Sequence, residues 1–157
     1  MEELFQRVQQ DPDVKISQED IETWVEEIGN KDIHYLENKT SQLLQYEIDV
    51  AIQDYPDELR EKWKSSLLMY RVVHDLQELT LGTHTRWIQY KNDKYKLANG
   101  GYLVKTEFKK NGTYLTCGHG SRWFRGYMQY EMDKTITFQK LTPEEWVLVM
   151  ANDFANR

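Results

Sequence analysis

Cys117-Gly118-His119 sets a thiol two residues from an imidazole, the two groups from which a cysteine nucleophile and its base are made. That chemistry needs a thiolate, formed at a helix N-terminus or beside a protonated histidine. Here the cysteine ends an expected strand and His119 falls in a glycine turn. Such dyads are assembled in space and not by adjacent positions, so the triplet reads as a small strand residue followed by a turn. The four histidines, His34, His74, His84 and His119, make no H-x-x-x-H spacing, and a lone cysteine allows no C-x-x-C pair. No metal site is expected from that ligand set. The carboxylate pairs Glu26-Glu27, Asp57-Glu58 and Glu144-Glu145 lie in acid-rich helical stretches and read as solvated faces. Gly100-Gly101 and the Gly118/Gly120 pair stand between strands, not at the strand-to-helix turn a phosphate cradle requires. Neither a cofactor nor an enzymatic activity is expected. A small enzyme with its site in a cleft between the two halves is the catalytic alternative.

Binding chemistry is more evident. Residues 83–141 hold 11 of the 20 aromatic side chains, with Arg86, Lys96, Lys105, Lys109, Arg122 and Arg125 interleaved among them. Aromatic faces beside a basic groove are what single-stranded nucleic acid uses: bases stack and phosphates meet Lys and Arg. The same composition also suits a small β-barrel filled by large side chains, with edge lysines that oppose aggregation. The net charge of -6 conceals a division. Residues 1–82 carry 19 acidic and 8 basic side chains, net -11; residues 83–141 carry 4 acidic and 11 basic, net +7; residues 142–157 carry 3 acidic and 1 basic, net -2. Such asymmetry points to an acidic partner for the basic segment, or to docking of that segment on its own acidic helices. The whole chain is acidic, with a sequence pI of about 5.3, which argues against a dedicated nucleic-acid binder.

The elements that would position these groups follow from periodicity. Short apolar stripes predict a helix over about 2–9 and another opened by Ser17, with Ile21, Trp24, Val25 and Ile28 on one face and Gly29 at its end. A third helix is expected over about 40–54. A fourth, long one is expected over 57–80, with Pro56 before it and two apolar stripes along it, ending at Gly82. After Gly82 the period falls to 2. Five strands are predicted, around 85–90, 102–108, 113–117, 122–130 and 135–139, with Asn111-Gly112 as a hairpin turn whose two residues both tolerate positive φ. Thr142, Pro143 and Glu145 make a capping box for a C-terminal helix, with Leu141 and Trp146 as its staple. The expected fold is α+β: an acidic helical region (1–82), a basic, five-stranded antiparallel module, SH3-like or OB-like (83–141), and a C-terminal helix packing back (142–157).

No apolar run approaches the roughly 18 residues of a membrane span, and the acidic start Met1-Glu2-Glu3-Leu4-Phe5 lacks the basic and long apolar parts of a secretory signal. The single cysteine suits a reducing compartment, so an intracellular setting without membrane contact is expected.

Gly82-Thr83-His84-Thr85-Arg86-Trp87-Ile88, Lys96-Leu97-Ala98-Asn99-Gly100-Gly101-Tyr102-Leu103-Val104-Lys105, Tyr114-Leu115 and the later Trp123 together resemble a small β module in poorly characterised proteins of large DNA viruses. The likeness covers residues 80–140, and Gly118-His119-Gly120-Ser121 departs from it. It implies a viral accessory or virion-associated protein and no catalytic residue. The sequence thus predicts a non-enzymatic interaction protein, structural or adaptor in role. Arg86, Lys105, Arg122, Trp123 and Arg125 would contact an acidic protein partner, with single-stranded nucleic acid on the same face as the alternative.

Overall fold

The computed structural model describes residues 34–119 and 126–156. The helices expected over 2–9 and from Ser17 lie outside these residues, as do Arg122, Trp123 and Arg125. The described residues are α+β, with three α-helices and a seven-stranded antiparallel sheet. They fall into two compact units divided after Glu47 and before Leu141.

The first unit comprises a short 3-10 turn (His34–Leu36), the first part of α1 (Ser41–Ala51) and α3 (Pro143–Ala155). The predicted capping box of α3 forms. The Glu145 amide donates to Thr142 Oγ1 at 3.2 Å and the Thr142 amide donates to Glu145 Oε1 at 3.0 Å. Leu141 and Trp146 pack in the cluster built on Leu36, Leu44 and Val149. The chain before α1 is held by α3: Asn152 Nδ2 donates to the carbonyls of Leu36 and Lys39 at 3.2 and 2.9 Å. The Ser41 amide at the start of α1 donates to Asp153 Oδ1 at 2.8 Å. These bonds supply partners to the Lys39 carbonyl and the Ser41 amide at the helix start, and a second one to the Leu36 carbonyl, which also accepts from the Lys39 amide at 3.0 Å.

The second unit contains the end of α1, α2 (Asp57–Ser66) and the strands β1 (Tyr70–Val73), β2 (His84–Lys91), β3 (Lys94–Leu97), β4 (Gly101–Lys109), β5 (Gly112–Gly118), β6 (Tyr127–Glu131) and β7 (Thr137–Lys140). The order across the sheet is β1-β7-β2-β4-β5-β6, with β3 paired to the far half of β2. Seven strands therefore replace the five expected, for two separate reasons. The helix expected over 57–80 stops at Ser66, and Tyr70–Val73 forms a strand along β7, with Val72 opposite Phe138. Of its first apolar stripe Leu59 and Trp63 are helical, Leu67 lies just past the helix end and Tyr70 opens β1; of its second Leu68 is exposed and Val72 enters the sheet core. Ladder pairing here overrides a helical pattern that no Gly or Pro interrupts before Gly82. The second addition, β3, returns from β2 through Asn92-Asp93, both at positive φ (55° and 59°), the backbone of a two-residue hairpin turn. The predicted hairpin at Asn111-Gly112 also forms, but its loop is Lys110-Asn111, and of the pair only Gly112 has positive φ (143°).

The sheet is open, not a closed SH3-like or OB-like barrel, but it is curled. Trp87 on β2 and Tyr130 on β6 stand three strands apart, about 14 Å on a flat sheet, yet their rings stack with centroids 4.1 Å apart. Tyr130 Oη also lies 2.8 Å from Thr137 Oγ1 of β7. The curl encloses an inner cluster of Trp87, Ala98, Leu103, Leu115 and Cys117, with Leu79, Met128, Tyr130 and Met132 against it. On the opposite face, Ile48, Ile52, Trp63 and Leu67 of the helical segments cover Val72, Ile88, Leu97 and Phe138.

Candidate functional site

The register decides which polar and aromatic groups share a face, because directly opposed residues of antiparallel strands point the same way. Tyr70 opposes Lys140, Arg86 opposes Phe138, His84 opposes Tyr102, Tyr102 opposes Gly118, and Gly118 opposes Tyr127. Part of this outer face lies under the helical segments at Phe138. Beyond them it carries a row of rings running from β1 through β2 and β4 to β6: Tyr70, His84, Tyr102 and Tyr127.

The row is ordered by its own contacts. Tyr70 Oη and His84 Nδ1 are 2.8 Å apart. The His84 ring makes T-shaped contacts with Tyr70 and Tyr102, with centroids at 6.0 and 5.5 Å. Burial raises the Tyr70 pKa above its ordinary value, against the opposing pull of Arg86. Burial, followed by the charges of Arg86 and Lys140, lowers that of His84. With Tyr70 donating, the neutral imidazole accepts at Nδ1 and carries its proton on Nε2. Tyr102 and Tyr127 are 47% and 68% exposed, so both rings offer area to a ligand. Between them Gly118 leaves room for the Tyr127 ring: a Cβ at that position would lie 3.2 Å from Tyr127 Cε1 and 3.5 Å from Val104 Cγ2.

Of the five positions expected to contact a partner, the described residues include Arg86 and Lys105, and both lie on this outer face. Lys105 opposes Thr116, which opposes Gln129, two residues from Tyr127 on β6. Its side chain is 59% exposed and pairs with Glu107 at 2.7 Å, a surface contact worth little. Glu107 is held below the usual carboxylate range by its hydrogen bond to Lys105 and by the charges of Lys105 and Lys109. Arg86 is more constrained than expected. Its Nε donates to the Ala98 carbonyl at 2.9 Å, its Nη1 reaches the Ser66 carbonyl at the end of α2 at 3.4 Å, and its guanidinium lies 6.0 Å from the centre of the Tyr70 ring. It joins β2 to the end of α2 as well as lending charge to the face. Lys140, a position the periodicity did not single out, is an exposed cation beside Tyr70. Of the aromatics counted as candidates, Trp87 and Tyr130 are inner-cluster side chains.

The inner face carries a polar network that strand alternation did not reveal. Arg71 is 1% exposed; its Nη2 donates to Gln139 Oε1 at 3.3 Å and to the Glu78 carbonyl. Gln139, fully buried, donates from Nε2 to the Thr80 carbonyl and Thr85 Oγ1, both at 3.0 Å, and accepts from the Thr80 amide at 2.9 Å. Cys117 lies in the same interior. Its thiol is pushed up to about 12 by burial, against a hydrogen bond from Thr85, so at neutral pH it is a packed thiol and not a nucleophile. Among the described residues no group of three or more His, Cys, Asp and Glu side chains is placed to hold a metal ion, and no helix is long and apolar enough to cross a membrane.

Comparison with protein-family profiles, curated proteins and solved structures returns no match to the chain.

Proposed function

We propose that this is a non-enzymatic interaction protein, structural or adaptor in role, that docks a partner bearing acidic groups on the outer face of its sheet. The observation that carries the reading is the pairing register, which sets the exposed rings of Tyr102 and Tyr127 on one face with Arg86, Lys105 and Lys140. Burying those rings would supply apolar contact area at about 25 cal/mol per Å², while the cations would steer an acidic partner to the face. Charge supports this choice. Residues 48–140 carry 15 basic and 11 acidic side chains, net +4, whereas the remainder of the chain carries 5 basic and 15 acidic, net -10. The resemblance of residues 80–140 to the viral β module favours a virion-associated or accessory setting for this role.

Retention of the full chain on immobilised heparin tests the reading. The wild type should be retained at low salt, and Lys105→Glu with Lys140→Glu should elute at clearly lower salt, because both are exposed and neither joins elements of the core. Passage of the wild type through the column, or identical elution of the two proteins, would overturn the proposal.

A further inference from the structure

We infer that the acidic partner is single-stranded nucleic acid, with bases stacking on Tyr102 and Tyr127 and phosphates meeting Lys105 and Lys140. This deepens the reading above and rests on it. The argument comes from what the face offers besides charge. Tyr102 and Tyr127 lie two strands apart, about 10 Å between their strands, with only Gly118 opposing them from β5. The Tyr127 ring occupies the space a side chain at 118 would fill. At Gly118 the central strand carries no side chain between the two rings, and the exposed Val104 of β4 borders the gap. A peptide of acidic residues alone would use the cations and leave the rings uncovered. An unpaired base has a π-face for each ring and a phosphate for each cation, and such stacking tolerates any base. A duplex keeps its base faces stacked internally, so the surface selects single strands. Positive charge stands at both ends of the row: Lys140 beside Tyr70, and Lys105 on β4 at the Tyr102 and Tyr127 end. A strand lying across β2, β4 and β6 would therefore meet a cation on either side of its stacked bases.

The experiment is fluorescence anisotropy of the full-length protein with labelled single strands of about twelve nucleotides, a length within the range bound by small β modules. Oligodeoxythymidylate and oligouridylate are run beside a duplex of the same length and a polyglutamate peptide. The inference expects tighter binding of a single strand than of duplex or peptide. Tyr102→Ala and Tyr127→Ala should each weaken it about tenfold, whereas Tyr102→Phe and Tyr127→Phe, which keep the ring, should stay within about twofold. Affinity should fall with salt, and Lys105→Gln with Lys140→Gln should flatten that dependence by about 0.7 log unit per lost phosphate contact. Preference for deoxythymidylate or for uridylate assigns DNA or RNA, and either supports the inference. Salt-sensitive binding of every polyanion, unchanged in the Tyr→Ala variants, overturns base stacking while leaving acidic-partner docking intact. Binding of polyglutamate alone overturns it in favour of an acidic protein. Binding of none overturns both readings. Unchanged far-ultraviolet circular dichroism and urea midpoints in the Ala variants separate lost stacking from lost structure.

Discussion

His84 joins the fold to the candidate surface through a single imidazole. Tyr70 and Tyr102 flank it, Arg86 and Lys140 are the nearby charges, and burial is the largest cause of its lowered pKa. A lowered folded-state pKa means that the unfolded chain takes up a proton on this residue before the folded chain does. Stability from His84 is therefore fully present above about 6.5, the ordinary value, and is lost as pH falls from there through the folded pKa. Carboxylates titrating nearby in pH add their own trend, so the informative quantity is the difference between wild type and His84→Gln. The urea midpoint of the wild type should drop more than that of the variant between about pH 7.5 and about pH 5.5. Equal drops would mean that the imidazole charges freely in the folded state. Protonation would also turn Nδ1 from acceptor to donor and reverse the Tyr70 hydrogen bond. The surface itself is thus expected to be better ordered at neutral than at acidic pH.

At the scale of elements, what was legible in the sequence depended on whether the deciding interaction was local. The α3 cap was legible because Thr142 and Glu145 satisfy one another within four residues, with Pro143 at the first helical position. Strand β1 was not, because only pairing with β7, some 65 residues away, separates Tyr70–Val73 from a helix. A local sign for β3 did exist in Asn92-Asp93, two residues suited to positive φ between alternating segments. The candidate face was half legible. Composition located aromatics and cations in the right segment, but their faces depend on register. That register sends Trp87 and Tyr130 inward and Tyr102 and Tyr127 outward. The buried polar network was wholly non-local. Gln139 opposes Arg71 on β1 and Thr85 on β2 and ties both strands to the 78–80 turn through four hydrogen bonds. Gln139→Leu keeps the bulk while removing those partners beside a buried guanidinium. It should cost about 3 kcal/mol or more, seen as a lower urea midpoint with an unchanged slope. A loss below about 1 kcal/mol would show that other groups already satisfy Arg71 and the turn.

For the whole molecule, the division of charge and the division of structure do not coincide. The sign of the charge changes near residue 82, inside the second unit, whereas the units part at residues 47 and 141. Helix α2, whose Asp57, Glu58 and Glu61 are balanced by Arg60, Lys62 and Lys64, therefore belongs with the basic strands, and α1 belongs to both units. Leu44, Ile48 and Ile52 follow at four-residue steps along one side of that helical stretch. Leu44 packs with Leu36, Leu141 and Val149, while Ile48 and Ile52 pack with Trp63, Val72 and Phe138. An 11-residue helix is too short to persist without tertiary contacts, so each half of α1 should depend on the cluster it enters. Hydrogen exchange on full-length Leu44→Ala and Ile52→Ala checks this, since each truncation empties about 2–5 kcal/mol from its own core. Ile52→Ala should speed exchange in α2, β1, β2 and β7 and spare α3; Leu44→Ala should do the reverse, with α1 the one described helix affected by both. Acceleration of every element by either variant would instead mean that the chain opens as a single cooperative unit through α1. In that case the outer sheet face could not be perturbed without the first unit responding.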